Sequence, residues 1–407
     1  MLRPLRSRDY RLFWSGSLIA NLGVWIQQTA LGWLVYDMTR KASLLGTISF
    51  AGNMPVLLLG LVGGAIADRA SRRAIMLSTL SVISATAATL AILTATGRIA
   101  VWHVVAISMI AGSANALFGP AMQAVIPSIV GQGELLNAIS LNSVQFNLAR
   151  TVGPAIAGFA YGPIGPAGCF TLNAAGFIVM VTMIAQVRMP RRPTIVAPPL
   201  GRALREALRY ARGHPVIGPA LLLASVMSLF GFPYIILLPA LARDALGLDA
   251  SGLGWLLASI GAGAVVGGLG LSAAGDVPRK DRLAVVSAIA FGVTLAAVAL
   301  VRTPRGVALL LFVMGVLQTV CVASINTAIQ MTVHDGMRGR VMSMMTVILF
   351  GFATTGALPV GLVGDRIGVP RALACGGLII AAAAVGVLAR AAAPAPRTVP
   401  SEMRPDG

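Results

Sequence analysis

Residues 64–73 read Gly-Ala-Ile-Ala-Asp-Arg-Ala-Ser-Arg-Arg, and they join two long apolar runs, at about 44–67 and 74–96. Each run is long enough to cross the hydrocarbon of a bilayer, which takes about 20 mostly apolar residues in a helix. A short loop with three arginines between two such runs is typical of the cytoplasmic side of a membrane protein. This stretch therefore predicts two consecutive membrane spans that are joined in the cytoplasm.

The composition of the whole chain agrees with a membrane protein. Of the 407 residues, 57% are hydrophobic and only 11% are charged, and the mean hydropathy is +0.85. A soluble protein carries about 25% charged residues, so this chain could not cover an aqueous surface. The composition excludes a soluble enzyme, a disordered chain, a collagen and a disulfide-rich scaffold.

Twelve apolar segments predict an all-α membrane protein with twelve transmembrane helices. The segments are 12–36, 44–67, 74–96, 101–124, 138–162, 166–187, 216–241, 251–274, 283–301, 305–331, 339–363 and 370–390. We expect an N-terminal six-helix half at 1–187, a polar cytoplasmic linker at 188–215 and a C-terminal six-helix half at 216–390. The tail at 391–407 is rich in Ala and Pro and is expected to be a disordered cytoplasmic segment.

The two halves repeat each other in sequence. The pattern Leu45-Gly46 … Asp68 recurs as Leu253-Gly254 … Asp276, and Ala121-Met122-Gln123 recurs as Ala328-Ile329-Gln330. Both pairs are displaced by about 207 residues, as a duplicated six-helix unit requires. The chain is therefore predicted to form two six-helix pseudo-repeats, with a ligand site where they meet.

The basic residues indicate how the chain is oriented in the membrane, and they do not indicate nucleic-acid binding. The formal net charge is +18, yet the Lys and Arg residues lie mainly between the apolar segments. With the amino-terminus inside, 22 of the 31 fall in cytoplasmic segments and 8 fall outside. This excess predicts that both termini are cytoplasmic.

The stretch that begins at Gly64 closely resembles the cytoplasmic signature of the major facilitator superfamily, with Ser71 in the place of a second glycine. The residues that carry the resemblance are Gly64, Asp68, Arg69, Arg72 and Arg73. The resemblance implies a gating latch, in which Asp68 accepts hydrogen bonds near the start of the eleventh helix, across the two halves. The alternative is an arginine cluster that only sets topology.

A second signature lies in the fifth segment, where residues 150–158 read Arg-Thr-Val-Gly-Pro-Ala-Ile-Ala-Gly. Gly153, Pro154 and Gly158 look like the Gly-Pro element of drug/proton antiporters of the same superfamily, although Ala157 replaces one expected glycine. This resemblance favours export over import. The alternative is a generic face of small residues, which lets another helix approach closely.

Arg150 is the most informative single residue, because it lies about 18 Å into the fifth helix, near the bilayer midplane. An arginine at this depth costs about 2.5–3.5 kcal/mol, so it should face a polar cavity and a partner. We predict that Arg150 contacts an anionic or oxygen-rich ligand. The alternative is a structural arginine bonded to backbone carbonyls that Pro154 frees. The predicted cavity is lined by Arg150 and four side-chain amides, those of Asn147, Asn21, Gln28 and Asn53.

None of the 13 acidic residues and none of the three histidines lies in the middle of a predicted helix. Asp37, at the outer end of the first helix, is the candidate for proton coupling, and an interfacial cap is the favoured alternative. No metal-ligand spacing, nucleophile elbow or Walker A pattern is present. The sequence thus predicts no enzyme, no metal, no cofactor and no nucleic-acid partner.

Within the superfamily, the chain is most similar to the enterobactin-exporter-like or transmembrane secretion effector branch. The similarity rests on Trp33-Leu34-Val35-Tyr36-Asp37, on Ile126-Pro127 and on Arg338-Gly339-Arg340-Val341. It implies a bacterial inner-membrane exporter of a small organic molecule, such as a siderophore, a drug or another amphipathic metabolite, that works by alternating access with H⁺ as the coupling ion. An importer or facilitator, and a non-transporting partner or sensor, are the alternatives. The expected partners are the substrate and the lipid bilayer, and we expect a monomer.

Overall fold

The computed structural model describes residues 3–69, 71–188, 200–275 and 279–392, and these are helical almost throughout. The α-helices are α1 (Arg8–Thr39), α2 (Ala42–Arg69), α3 (Arg72–Ala95), α4 (Val101–Ile129), α5 (Leu135–Gln186), α6 (Leu200–Arg212), α7 (Ile217–Val226), α8 (Pro233–Ala240), α9 (Ala250–Ala273), α10 (Lys280–Ala297), α11 (Pro304–Thr332), α12 (Asp335–Val347), α13 (Ala353–Ile367) and α14 (Val369–Ala392). The prediction of an all-α membrane protein is confirmed.

The helices are consistent with twelve membrane spans. Within the described residues, eight helical stretches are long and apolar enough to cross a bilayer. One of them, α5, has 52 residues and changes direction at Gly165, whose φ is 64° and ψ is −178°, so it accommodates two spans. Twelve spans result when α2, α10 and the stretch α12–α13 are included.

Two spans of the second half are interrupted by π-helical turns. The turn Met227–Gly231 joins α7 to α8, and Leu241–Ala245 extends α8 at its end. A third turn, Ile348–Phe352, joins α12 to α13. Such turns insert an extra residue into a helix and are frequent at functional sites.

Polar side chains fix where several helices begin. Asp249 accepts a hydrogen bond from the Ser251 hydroxyl and one from the Gly252 amide at the start of α9, and these bonds lower the pKa of Asp249. Ser71 accepts a hydrogen bond from the Ala74 amide (3.1 Å) and caps α3. The serine that departs from the superfamily pattern therefore supplies a favourable N-cap.

The helix contacts repeat between the two halves. In the first half, α2 packs on α4, and α3 packs on α4 and α5; in the second, α9 packs on α11, and α10 packs on α11 and α14. The halves contact each other chiefly through α2 with α13 and through α5 with α9. This arrangement agrees with two pseudo-repeats. The boundaries of the halves stay a prediction, and the tail beyond Ala392 lies outside the described residues.

The predicted linker at 188–215 contains a helix that its polar composition does not indicate. It contains α6, which packs on α12 and α7, while residues 189–199 lie outside the described ranges. A search for long apolar runs does not reveal α6, because this helix is short and amphipathic.

We call the side on which α1 begins the inner side, as the charge distribution predicts, and the opposite side the outer side. One continuous apolar core joins the outer part of α1, including Trp33, to residues of the second half such as Leu237 and Leu253. A separate core, which includes Tyr10 and Met76, holds the inner end of the first half. The described parts of the two halves are therefore joined mainly on the outer side.

Candidate functional site

Glycines bring the two halves into backbone contact near the outer side. A Cβ atom at Gly158 of α5 would lie 2.8 Å from the Cα atom of Gly254 in α9. A Cβ atom at Gly46 of α2 would lie closer still to the carbonyl oxygen of Ala357 in α13. Because no side chain separates these helices, the contacts form a tight seam, which we call the outer seam. Two further contacts belong to it, between Gly261 and Thr151 and between Gly361 and Ala42.

An ion-pair network lies over this seam and also crosses between the halves. Asp37, near the end of α1, contacts Arg243 at 2.7 Å, and Arg40 contacts Asp244 at 3.7 Å. The Tyr36 hydroxyl donates a hydrogen bond to Asp244. We call Asp37, Arg40, Arg243 and Asp244 the outer latch. The latch borders an open depression of about 500 Å³ on the outer face, so water reaches it.

Two further contacts support the closed outer side. Asp365, near the end of α13, accepts hydrogen bonds from the amides of Ala42 (2.6 Å) and Ser43 (3.1 Å) at the start of α2. A carboxylate at a helix N-terminus is stabilised by the helix dipole. The Arg243 guanidinium lies 5.2 Å from the ring centroid of Trp33, within the range of a cation–π contact.

The predicted cavity residues of α2 and α5 lie on the same helix faces as the outer seam, but deeper. Asn53 is seven residues below Gly46 in α2, and Asn147 is eleven residues from Gly158 in α5, so each shares a face with its glycine. Both side chains are exposed. Amides at this depth would be costly against lipid. These two faces therefore carry exposed amides on the inner side of the outer seam, and we call the region that they line, together with Arg150, the polar space.

The predicted cavity residues of helix α1 also lie on the helix face that contacts the second half. Gly32 packs against Pro239 of α8, and Gln28 lies one turn below it, with Asn21 a further two turns down on the same face. Gln28 is exposed and Asn21 is partly buried. The structure thus places all four predicted amides on faces directed between the halves. Their role in binding a substrate stays a prediction.

Arg150 connects this space to the second half. Thr151, the next residue of α5, packs against Gly261 of α9. In α8 of the same half, the Tyr234 hydroxyl donates a hydrogen bond to Gln318 of α11 at 3.2 Å. Within the described residues, no hydrogen bond joins the Arg150 side chain to a backbone carbonyl. This geometry favours a cavity arginine over one that satisfies carbonyls freed by Pro154.

The antiporter-like motif has a clear packing role. A Cβ atom at Gly153 would lie 2.5 Å from Cβ of Trp25 in α1, and one at Gly254 of α9 would lie 2.8 Å from the Pro154 carbonyl oxygen. Gly153, Pro154 and Gly158 are all buried. The motif therefore lets α5 approach one helix of each half. A generic small-residue face would do the same, so the specific role of the motif in export stays a prediction.

Only part of the predicted gating motif can be placed. The backbone of Gly64, Asp68 and Arg69 forms the end of α2, and their side chains lie outside the described part of the chain. Arg73 donates a hydrogen bond to the Ala185 carbonyl near the end of α5, within the same half. The gating role of these residues, Arg72 included, stays a prediction.

Most of the outer latch was not predicted from the sequence. Asp37 was singled out, but Arg40 and Arg243 counted only toward topology, and Asp244 had no role. One signal was available, because Asp37 and Asp244 are displaced by about the same 207 residues as the repeat. In the structure Asp37 is ion-paired across the halves. Its role as proton carrier stays a prediction.

We expect the change Arg243→Gln to raise the fraction of molecules that are open on the outer side. It removes one partly exposed ion pair and a cation–π contact, which together contribute about 1–2 kcal/mol. The rate at which an impermeant maleimide labels Asn53→Cys from the outside should rise about fivefold to 30-fold. All three native cysteines should be replaced in the background, namely Cys169, Cys321 and Cys375.

An exposed arginine elsewhere on the outer side, Arg98 in the loop between α3 and α4, supplies the matched control. Arg98→Gln should leave the labelling rate unchanged. The Asp37→Asn change should raise the labelling rate less in the Arg243→Gln background than it does alone. Fully additive effects on the labelling rate would show that the two residues are not coupled.

Comparison with known proteins identifies relatives along the whole chain. Residues 1–403 match a family described as transmembrane secretion effector. Macrolide efflux protein A of Streptococcus pyogenes is 24% identical over 91% of this chain and 93% of its own length. The multidrug efflux pump Tap of Mycolicibacterium fortuitum is 23% identical over 86% and 88%. The staphyloferrin A transporter of Staphylococcus aureus is 27% identical over 57% of this chain and 59% of its own.

Solved structures share the fold. The nucleoside transporter NupG superposes with a TM-score of 0.74 at 12% identity, over 94% of this chain and 99% of its own. A bacterial homologue of the human lysosomal transporter Spinster, in an inward-facing and unoccupied conformation, gives a TM-score of 0.70 at 15% identity, over 95% and 96%. The chain belongs to the transmembrane secretion effector family of the major facilitator superfamily, and it is a multi-pass membrane transporter rather than an enzyme.

Proposed function

We propose that the chain is a secondary active exporter of a small, oxygen-rich or anionic amphipathic molecule, working by alternating access in a bacterial inner membrane. The single observation that carries the proposal is the polar space around Arg150, which begins where the outer seam ends. Its outer side is closed by backbone contacts and by the outer latch. A molecule that enters from the inner side can therefore bind without an open path through the membrane.

The chemistry of the space supports the substrate class. Arg150 supplies a positive charge, and the side-chain amides on α1, α2 and α5 supply donors and acceptors. Apolar neighbours suit an amphipathic ligand, such as the partly buried Trp25, which contacts Phe146 edge to face with ring centroids 6.2 Å apart. Relatives named for macrolide efflux, multidrug efflux and staphyloferrin A transport agree with export of such molecules.

Alternating access requires the seam to open on the outer side while the inner side closes. The outer latch would then break, and the gating motif at the end of α2 would hold the start of α12, with Asp68 as the acceptor. The charge distribution supports an orientation with both termini in the cytoplasm. The proposed transporting unit is a monomer, since each chain holds both halves.

Asp37 is the proposed site of proton coupling. Its side chain is 44% exposed, and its ion pair with Arg243 must break when the outer side opens. A proton on Asp37 would remove the attraction to Arg243 and so favour the open state. No carboxylate lies in the middle of a span within the described residues, and Asp37 is one of the carboxylates whose contacts across the halves must break on opening.

Transport by purified protein in proteoliposomes tests the proposal. We would impose a pH gradient and supply macrolides, lipophilic dyes and iron-free siderophores in turn. Proton-driven transport of one class, lost in Asp37→Asn, is the expected result. Gradient-independent transport that equilibrates the substrate would indicate a facilitator, and accumulation in the cytoplasmic direction an importer. Absence of transport for every compound, in protein that binds none of them, would favour a non-transporting partner or sensor.

A further inference from the structure

We propose that α6 is a binding surface for anionic phospholipid headgroups, and that its arginines dock it on the bilayer. In the chain α6 lies between the two halves, and in the structure it packs on α7 and α12. Lipid binding at α6 can be measured whatever the direction and the coupling of transport.

One face of α6 is fixed to the second half. Ala207 and Ala211 are buried, and a Cβ atom at Gly218, at the start of α7, would lie 2.6 Å from the Ala211 carbonyl oxygen. Glu206 forms an ion pair with Arg340 of α12 at 2.7 Å. The Tyr210 hydroxyl accepts a hydrogen bond from the backbone amide that precedes α12, at 3.4 Å. These contacts hold the helix in one rotational position.

The opposite face is basic and exposed. Arg205, Arg209 and Arg212 occupy positions i, i+4 and i+7, so they share one face of the helix. None of the described carboxylates pairs with any of the three. Leu208 lies at the edge of this face, and 44% of it is exposed. An apolar side chain beside a row of arginines is typical of a helix that lies in a membrane interface.

The position of α6 in the chain brings this face to the bilayer. Helix α6 ends at Arg212, and the next membrane span starts at Ile217, so Arg212 lies within about two helical turns of the hydrocarbon. Arginines at this depth meet phosphate oxygens, to which the guanidinium can donate two parallel hydrogen bonds. Charge complementarity thus favours anionic lipid over the neutral lipid or water that would otherwise cover the face.

Native mass spectrometry of the full-length protein, released from detergent that contains phosphatidylglycerol and phosphatidylcholine, tests the proposal. Wild type should retain phosphatidylglycerol in preference to phosphatidylcholine. The change R205Q/R209Q/R212Q should reduce this preference, by about fivefold for each arginine removed. The single change Arg209→Gln provides the same test in one step if the triple variant does not fold.

A matched control removes the same number of charges elsewhere. R98Q/R302Q/R305Q replaces three exposed arginines on the outer side and should leave the preference unchanged. An equal loss in both triple variants, or an unchanged preference in R205Q/R209Q/R212Q, would overturn the proposal. So would an equal retention of both lipids by wild type. Full competition by inorganic phosphate at the same concentration would also overturn it, because the site would then bind free phosphate.

Discussion

Replacement of Arg150 by alanine is expected to abolish transport while the protein still inserts into the membrane at its normal level. Arg150 lies about 22 Å from the start of α5, too deep for its side chain to reach the aqueous phase along lipid. Loss of the proposed pair between Arg150 and an anionic substrate costs about 2–5 kcal/mol, which corresponds to a fall in transport rate of at least about 30-fold. Uptake of the transported compound into inside-out vesicles gives the rate.

Two variants separate ligand binding from structure. Arg150→Lys keeps the charge but loses the planar fork of donors, so we expect an intermediate rate. Tyr234→Phe removes the hydroxyl that bonds to Gln318 and leaves the charge at 150 in place. If Arg150 only supports the fold, Arg150→Ala should lower the melting temperature, and the ligand should stabilise the variant as much as the wild type. Normal transport by Arg150→Ala would show that this arginine does not contact the substrate.

The spans and the shared faces of the polar residues could be predicted because each depends on local pattern. An apolar run of about 20 residues identifies a span wherever it lies in the fold. A spacing of seven residues places polar side chains such as Asn21 and Gln28 on one side of a helix, whatever the helix later contacts. The resemblance of residues 64–73 then supplied the superfamily, which the match along residues 1–403 confirms.

The contacts between halves could not be predicted in this way. Arg243 contacts Asp37 from a π-helical turn at Leu241–Ala245, which sets the direction of the Arg243 side chain. No local pattern in the sequence predicts that turn. Asp365 caps α2 from a position that is distant in the chain. Such pairs depend on how two bundles meet. Only the repeat offset that relates Asp37 to Asp244 indicated in the sequence that these two residues have related positions.

Helix α6 was missed in the sequence for a different reason. Its apolar residues Leu204, Ala207, Leu208 and Ala211 follow the spacing of an amphipathic helix, so the pattern was present. The high content of Pro and Arg in the surrounding stretch led to its interpretation as a polar linker. A linker in a membrane protein can therefore carry an amphipathic helix that a search for spans overlooks.

The change Gly158→Leu is expected to shift the protein toward the state that is open on the outer side. A Cβ atom at 158 would lie 2.8 Å from the Gly254 Cα atom and 3.1 Å from the Ser251 carbonyl oxygen, and neither backbone atom can move away without separating α5 from α9. Overpacking costs about 1–3 kcal/mol. This cost falls on the closed seam and vanishes once the two helices part, so the open state should gain about fivefold to 150-fold in population.

The same helix offers a control, since a Cβ atom at Gly162, four residues farther along, has no heavy atom within 4 Å among the described residues. Labelling of Asn53→Cys from the outside by an impermeant maleimide should accelerate in Gly158→Leu and stay at the parental rate in Gly162→Leu. A seam that is only structural would instead make Gly158→Leu unstable without exposing position 53. Unfolding lowers the melting temperature, whereas opening of a stable gate does not. Measuring the labelling rate and the melting temperature on one preparation therefore decides whether the Gly-Pro element of α5 keeps the outer side closed or only stabilises the fold.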